Sequence, residues 1–292
     1  MTVIEQVQDN TYASPAVAQL IRDYHDAKSR YDVDALMSFY SRDHLTYADA
    51  VLGWTGVSWD AANEVFGQMM PGWADGVSYA TAVLGNEHSA IVVVRDSPEL
   101  FGAEILALAA VSFDDDGKIT RWVDYWDSRH FGLSLAAQMR VPVEAFPQSF
   151  GEETTPNSAD SEMDSLVERL VANLSRSDAA GASALFGVDS VLEDMTAHTA
   201  VRGRAAIERY LTRIITQLPY GTGVGVRQVL GSATAGGFEW VNPGNDAKRG
   251  ISAVSLSEDG AIAQMRSVWD GALVDDQTLS ILTLAALEPS DN

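Results

Sequence analysis

Apolar residues in the first 70 positions recur at the spacing of helices. Ser14 is a typical N-cap residue that precedes a proline, and apolar side chains then fall on one helical face: Val17, Leu20, Ile21 and Tyr24. A shorter helix is predicted over 33–40, a short strand ends near Asp49, and Ser58 caps a third helix. The beginning of the chain is therefore predicted to be helical, with one short strand.

After Pro71 the pattern changes to that of β-strands. Strands are predicted at 77–85, 90–95, 104–113 and 118–127. The second half repeats the order, with helices at 164–175, 179–186 and 204–217 and strands near 224–231, 236–242, 250–257 and 261–270. Helices followed by a strand meander indicate the α+β class. Each half is predicted to be a cone-shaped barrel, a curved antiparallel sheet wrapped on about three helices.

Two sequence matches in the same order indicate an internal duplication. Residues 111–127 and 254–270 share 7 identical positions of 17 without a gap, and both read as strand, Asp-Gly turn, strand. Upstream, Arg30-Tyr-Asp32 resembles Arg176-Ser-Asp178. A single shared hairpin could arise by chance, whereas two matches in the same order favour tandem domains.

The stretch between the repeats has the composition of a linker. It contains prolines with Gly, Ser, Thr and Glu and has no apolar period, so it is expected to bury little surface. We therefore predict a first domain at 1–145, a linker at 146–160 and a second, more diverged domain at 161–292.

Composition excludes several classes of function. The 292 residues include no cysteine, which excludes disulfides, zinc-thiolate sites and a cysteine nucleophile. A formal charge of −22 would repel nucleic acid and anionic membranes, so neither is expected as a partner. No apolar run reaches the roughly 18 residues that span a bilayer, and the first residues do not resemble a secretory signal. We therefore predict a cytoplasmic protein. Because no metal or phosphate-binding motif is present, we predict that it has no cofactor.

The last strand of the first half carries the motif Trp122-Val-Asp124-Tyr-Trp-Asp127. With this motif, the element order resembles the nuclear transport factor 2-like, or SnoaL-like, superfamily. That superfamily includes ketosteroid isomerases, polyketide cyclases, scytalone dehydratases and limonene-type epoxide hydrolases, so the fold alone does not define a reaction. Because members often dimerise through their sheets, the resemblance implies an internal pseudo-dimer, and hence a monomer in solution.

Three motifs resemble those of limonene-type epoxide hydrolases. Tyr47-Ala-Asp49 resembles their Tyr-x-Asn, and the last-strand motif resembles Trp-Arg-Asp-Tyr-Phe-Asp with Val123 in place of arginine. Val94-Arg95-Asp96 resembles Arg-x-Asp, although Arg95 stands one place late and is expected to face the other side of the strand. The resemblance implies four site residues: Tyr47, Asp49, Asp96 and Asp124.

The second half departs from this pattern. Leu192 stands in place of the tyrosine, Asn242 in place of Asp96 and Ser267 in place of Asp124. Asp194 is kept, at the position where ketosteroid isomerases and two-domain polyether epoxide hydrolases place a catalytic aspartate. The resemblance therefore leaves an isomerase- or cyclase-type site around Asp194 open.

The acidic residues suit the opening of an epoxide, which needs a proton on the ring oxygen and a nucleophile at carbon. Two carboxyl groups with separated pKa values can supply both, and Tyr47 can orient the nucleophile. Water would give a diol, and a substrate hydroxyl would give a cyclic ether. We predict an epoxide hydrolase or cyclase acting on a hydrophobic, polyketide-like secondary metabolite, as in antibiotic biosynthesis.

Alternatives remain open at the level of sequence. The first is an isomerase, dehydratase or other cyclase with a single Asp base. A scytalone-type dehydratase would need a histidine inside the cone, and His198 is the histidine least excluded from that position. The second is a non-catalytic binding or scaffold protein. Asp124 could instead be a structural acid paired with Arg95 or Arg121, and Asp127 and Asp270 are expected to cap or bridge after the last strand of each half.

Overall fold

Two β-sheets, each with helices packed on one face, organise the computed structural model, which describes residues 8–56, 58–73, 75–152, 155 and 158–287. The N-terminal stretch considered for a secretory signal and linker positions 153–154 and 156–157 lie outside the described residues. The helices are α1 (Pro15–Ser29), α2 (Val33–Met37), α3 (Trp59–Met69), α4 (Pro98–Phe101), α5 (Leu133–Met139), α6 (Ser161–Ser175), α7 (Ala179–Ser183), α8 (Arg204–Ile214) and α9 (Asp276–Ala285).

The strands form one sheet in each half of the chain. Those of the first half are β1 (Asp9–Ala13), β2 (Thr46–Asp49), β3 (Trp54–Gly56), β4 (Ser78–Gly85), β5 (Ser89–Asp96), β6 (Ile105–Phe113) and β7 (Ile119–Trp126). Those of the second half are β8 (Phe186–Asp194), β9 (Thr199–Arg202), β10 (Gly225–Gly231), β11 (Ala235–Val241), β12 (Arg249–Leu256) and β13 (Ile262–Trp269).

Apart from the additional edge strand β1 in the first half, the strand order is the same in both halves. The first sheet has the order β1-β4-β5-β6-β7-β2-β3 and the second β10-β11-β12-β13-β8-β9. In each, a four-strand antiparallel meander is extended by a strand from earlier in the chain, β2 or β8. This arrangement confirms the predicted α+β class with two tandem sheets and helices.

The wholly antiparallel sheet that we predicted is wrong at three strands. β2 pairs with β7, β8 with β13 and β1 with β4 in parallel, because each comes from a segment that enters the sheet beside the meander rather than from a hairpin. The short strands β1, β3 and β9 were not predicted, since three to five residues give little hydrophobic alternation to detect.

The predicted second helix of each half is too long. Helix α2 ends at Met37, because Tyr40 forms a bridge with Ile119 and the Ser41 amide donates to the Ile119 carbonyl. Helix α7 likewise ends at Ser183, and β8 begins at Phe186. Tyr40 and Phe186, at the ends of the two predicted helices, are aromatic, and aromatic residues are favoured in β-sheets over helices.

The predicted linker is packed rather than free of contacts. Phe150 is fully buried between the sheets, and its carbonyl accepts a 2.7 Å hydrogen bond from Nε of Arg121. Phe146 lies against Gly53, where φ is +80° and a Cβ atom would approach the phenyl ring to 2.7 Å. The expectation that this stretch buries little surface is therefore wrong at its two phenylalanines.

The outer faces of the two sheets pack against each other through a mostly aliphatic layer that includes Ile91, Ala110 and Ile251. Within this layer Arg121 Nη2 donates to Glu239 Oε1 at 2.9 Å, and the Tyr125 hydroxyl donates to the same oxygen at 2.7 Å. Arg121 and Glu239 are both 0% exposed and belong to different halves. The halves therefore pack as an internal pair, while the monomeric state stays a prediction.

Candidate functional site

A cavity of about 110 Å³ lies in the first half, between helices α1 and α3 and the inner face of the sheet. Most of its wall is apolar and aromatic, and it includes Trp54, Trp73, Trp122 and Trp126. Polar side chains reach it from separate elements: Lys28, Tyr47, Asp49, Asp96 and Asp124. The structure thus brings the four residues predicted for the first half to one cavity, together with a lysine that was not predicted.

The pairing of β2 with β7 sets Asp49 beside Asp124. These residues are direct partners in the parallel register, so both side chains point to the inner face of the sheet. Trp122 and Trp126 lie two places on either side of Asp124 and face the same way. Trp122 Nε1 donates to Asp124 and Trp126 Nε1 donates to Asp49, each at 2.8 Å. The last-strand motif therefore holds both carboxyl groups.

Asp49 lies where β2 turns. Its Oδ1 atom accepts hydrogen bonds from the backbone amides of Val51 at 2.8 Å and Leu52 at 2.7 Å. Burial raises the pKa of Asp49, and the hydrogen bonds from the two amides and from the Trp126 N–H lower it. The effect of burial is larger, so the pKa is about 6. The carboxyl is thus firmly oriented and can still exchange a proton near neutral pH.

Asp124 is the less strongly hydrogen-bonded of the two carboxyl groups. Its Oδ2 atom accepts a bond from the Tyr47 hydroxyl at 3.3 Å. Burial raises the pKa of Asp124 to about 7, helped by the charge on Asp49 and opposed by Lys28. Because the two groups interact, they titrate as a pair around pH 6–7.

Burial and the nearby charge on Asp124 raise the pKa of the Tyr47 hydroxyl well above its usual value, so this group remains a proton donor at physiological pH. Deeper in the wall, the Tyr24 and Tyr40 hydroxyl groups lie 2.7 Å apart, and the Tyr24 ring stacks on Trp122. These tyrosines support the tryptophan that donates to Asp124.

Asp96 reaches the cavity from the end of β5 and forms an ion pair with Lys28. Nζ of Lys28 lies 3.1 Å from Asp96 Oδ1, and each side chain is 10% exposed. Lys28 continues the buried face of α1 defined by Val17, Ile21 and Tyr24. A lysine at this helical spacing was the sequence signal for it, since charged residues are seldom buried without a partner.

The alternative that Asp124 pairs with Arg95 or Arg121 is wrong. Arg95 faces outwards, as its register predicts, and lies 3.2 Å from Glu104. Arg121 is committed to Glu239 between the sheets. The cation whose charge acts on Asp124 is Lys28, which lies on a helix and not on the neighbouring strands, unlike the arginine of the limonene-type pattern.

The structure does not bring Asp194 to the other predicted residues. It lies in the second half, 1% exposed, where it accepts bonds from the amides of Thr196 and Ala197, the Tyr220 hydroxyl and Trp269 Nε1. Large side chains such as Tyr210, Tyr220 and Trp240 pack this interior. Burial raises the pKa of Asp194, and its four donors oppose that rise. Catalysis by Asp194 stays an untested prediction.

The other residues considered from sequence, Asp127, Asp270 and His198, do not line this cavity. Asp127 and Asp270 cap single helical turns after the last strands, and Asp270 also accepts bonds from Ser128, which confirms the capping and bridging expectation. His198 is exposed, with its ring 5.7 Å from that of His130, so the proposal of a dehydratase histidine inside the cone is wrong at this residue. Nε1 of Trp59 donates to the Met37 carbonyl, and Trp59 does not line the cavity.

The raised pKa values predict a stability that depends on pH. In the unfolded chain the pKa of both aspartates is near 3.8. In the folded protein Asp49 keeps its proton up to a pH of about 6, and Asp124 up to a pH of about 7. The folded state therefore binds more protons across this window, and these groups lower stability as the pH rises through it. We expect the double variant Asp49→Asn/Asp124→Asn to match the wild type at pH 4 and to be more stable at pH 8, by about a few kcal/mol.

Urea unfolding at pH 4, 6 and 8 measures this difference. Asp115→Asn, at an exposed position in the turn between β6 and β7, is the matched control and should show no such trend. A difference between the double variant and the wild type that does not change with pH would contradict the assigned proton binding.

No family model matches this chain, and no curated protein sequence does. Solved structures do. A candidate SnoaL-like polyketide cyclase from Shewanella putrefaciens is 19% identical to this chain, with a TM-score of 0.37. The match covers 43% of this chain and 88% of the cyclase chain. A steroid delta-isomerase from Pseudomonas aeruginosa is 15% identical with a TM-score of 0.35, covering 45% of this chain and 93% of its own.

Two further findings bear on ligands and location. No described helix is long and apolar enough to cross a membrane. In the part of the chain that the structure describes, no group of three or more His, Cys, Asp or Glu side chains could hold a metal ion.

Proposed function

We propose that the cavity of the first half catalyses epoxide opening by acid–base chemistry on a small hydrophobic molecule. The observation that carries this proposal is the presence of two separate groups of ionisable side chains in an otherwise apolar cavity. One is the carboxyl pair Asp49 and Asp124 on β2 and β7, and the other is the ion pair of Lys28 and Asp96 on α1 and β5. Epoxide opening needs a base at the nucleophile and an acid at the ring oxygen.

In the proposed reaction the carboxyl pair acts on the nucleophile. Tyr47 and Asp124 hold a water molecule or a substrate hydroxyl, and a carboxylate of the pair takes its proton as the new carbon–oxygen bond forms. The carbon–oxygen bond of the ring breaks, and the ring oxygen takes a proton from the Lys28 ammonium group, which Asp96 holds in place. The carboxyl pair then returns its proton to Lys28 through water.

The nature of the wall supports a hydrophobic substrate. Aromatic and aliphatic side chains surround the polar groups, and burial places the carboxyl pKa values near neutral pH. A polyketide-like secondary metabolite suits such a cavity. Placement of the substrate, rather than a different set of residues, would decide between a diol and a cyclic ether.

A single-base isomerase is the second candidate, and the order of the pKa values favours it. Asp49, at about 6, is the better-ionised carboxyl and could remove a carbon-bound proton, while Asp124, at about 7, and Tyr47 could donate to the carbonyl oxygen of the same substrate. This reaction does not need the ion pair of Lys28 and Asp96.

A non-catalytic binding role has less support. A cone filled by its own side chains, or acids outside the cone, would favour such a role. In the first half the acids line a cavity, whereas in the second half large side chains fill the interior.

Incubation with a panel of apolar epoxides in ¹⁸O-labelled water tests the proposal. Hydrolysis predicts one labelled oxygen in a diol, and cyclisation of a hydroxy-epoxide predicts an unlabelled ether. Parallel reactions with a β,γ-unsaturated ketone in D₂O test the isomerase. Isomerisation of the ketone without turnover of any epoxide would overturn the proposal in favour of the second candidate.

Lys28→Met separates the two candidates further. Removal of the proton donor is expected to lower kcat for epoxide opening by about 10²–10⁴-fold, whereas it should change a single-base isomerisation far less. Steady-state kinetics on the purified protein measure the effect. Arg22→Met is the matched control, because Arg22 is exposed on the same helix. An unchanged kcat for Lys28→Met would remove Lys28 from the reaction.

A further inference from the structure

A second cavity, of about 440 Å³, lies between the two halves and opens on the opposite side of β2 from the first. Both halves and the connecting stretch contribute to its wall, with Val51 and Tyr125 from the first half, Phe146 from the stretch, and Val241 and Trp269 from the second half. This wall offers an apolar surface large enough for a small organic molecule.

Basic side chains are concentrated in this cavity, although acidic residues outnumber basic ones by 41 to 19 in the chain. Arg140, Arg227, Lys248 and Arg249 all line it. Arg140 is paired with Asp270, which also lines the cavity, and Arg227 lies 3.4 Å from Glu152. Asp246 is the other acid of the wall, and it is exposed, as is Lys248.

Arg249 is a half-buried cation of this wall that forms no ion pair with another described residue. Among the described residues, no carboxylate oxygen lies within 4.0 Å of its guanidinium group, and the hydrogen bond that it donates to the Pro147 carbonyl is long, at 3.5 Å. The guanidinium stacks over Phe146 at 4.1 Å. Burial, together with the charges on Arg227 and Arg140, lowers the pKa of Arg249 to about 10.

A second arginine of the same wall also lacks a partner at one atom. The Arg227 side chain is 9% exposed, and its Nη1 is buried without a hydrogen-bond partner among the described residues. Arginines buried to this extent normally satisfy their donors, with a carboxylate as the preferred partner. Two under-satisfied arginines in one cavity indicate that an anion completes it.

We propose that the cavity between the halves binds a small organic carboxylate, with the carboxylate on Arg249 and the apolar body against Phe146 and the neighbouring wall. A guanidinium fork binds a carboxylate through two parallel hydrogen bonds, and the phenyl ring beneath Arg249 fixes the plane of that fork. This site is distinct from the cavity with the aspartate pair and does not depend on the reaction proposed for it.

Isothermal titration calorimetry with naphthalene-2-carboxylate on the full chain tests the proposal, with naphthalene-2-carboxamide as the uncharged analogue. We expect one saturable site for the acid and at least about ten-fold weaker binding of the amide. Arg249→Gln should weaken binding of the acid by about ten-fold or more. Arg22→Gln, at an exposed position of α1, should leave binding of the acid unchanged. Phe101→Ala, in the wall of the first cavity, should leave binding unchanged, which separates the two sites.

Three outcomes would overturn the proposal: no saturable binding of the acid up to about 10 mM, equal binding of acid and amide, or an Arg249→Gln variant that binds as the wild type does. If Arg249→Gln does not fold, Lys248→Gln decides, because Lys248 is exposed on the same wall. It should weaken binding by about two- to three-fold, and unchanged binding would count against the site.

Discussion

Asp124→Asn is expected to lower kcat for epoxide opening by about 10²–10⁴-fold while the protein remains folded. An amide cannot take the proton from the nucleophile, yet it can still accept the Trp122 N–H bond of 2.8 Å that holds the side chain in place. Since burial disfavours the charged carboxylate at this position, the variant should be at least as stable as the wild type at pH 8. Steady-state kinetics together with urea unfolding separate a chemical loss from a folding defect.

The comparison with Asp49→Asn gives this experiment its discriminating power. In epoxide opening both carboxyl groups serve the nucleophile, so both variants should lose activity. A single-base isomerase instead predicts that Asp49→Asn abolishes activity and that Asp124→Asn loses far less, because Tyr47 and the asparagine amide can still donate to the carbonyl oxygen. Asp115→Asn, in the exposed hairpin turn, is the control for the loss of one negative charge. Full activity of both site variants would reject the carboxyl pair as catalytic.

Repetition made the fold predictable from sequence. The Asp-Gly hairpins of both halves gave the end of each meander, and the strand-like stretches ending at Asp49 and Asp194 gave the extra strand that joins it. The approach of Asp49 to Asp124 was expected from the resemblance of their motifs to those of limonene-type epoxide hydrolases, and not from the local pattern of either strand. The parallel direction of the pairing was missed because direction depends on the path of the chain between strands and not on local pattern.

Long-range partners could not be predicted in the same way. Lys28 was hidden on an apolar helical face, and its partner Asp96 is 68 residues away, in a position that reads as a loop. Phe150 was hidden in a stretch of linker composition, because its burial depends on the space between two sheets. The lack of an ion pair at Arg249 among the described residues also depends on tertiary structure and not on a motif.

The contact between the halves offers the largest expected effect on stability. Arg121 and Glu239 are 0% exposed and 118 residues apart, and the Nη2–Oε1 bond between them is 2.9 Å long. We expect Arg121→Leu to lower the free energy of unfolding by about 3–5 kcal/mol, because it leaves the Glu239 carboxylate in an apolar layer with Tyr125 as its one remaining side-chain donor among the described residues. Denaturant unfolding measures the change.

The matched control for Arg121→Leu is Arg95→Leu, which breaks the exposed pair of Arg95 and Glu104 in the same sheet. The side chains of that pair are 38% and 47% exposed, so the loss should not exceed about 1 kcal/mol. The double variant Arg121→Leu/Glu239→Leu removes both buried charges and should regain most of the lost stability. If the single and double variants were equally unstable, the cost would come from lost packing of the long arginine side chain. If Arg121→Leu were no worse than Arg95→Leu, the buried pair would not hold the halves together.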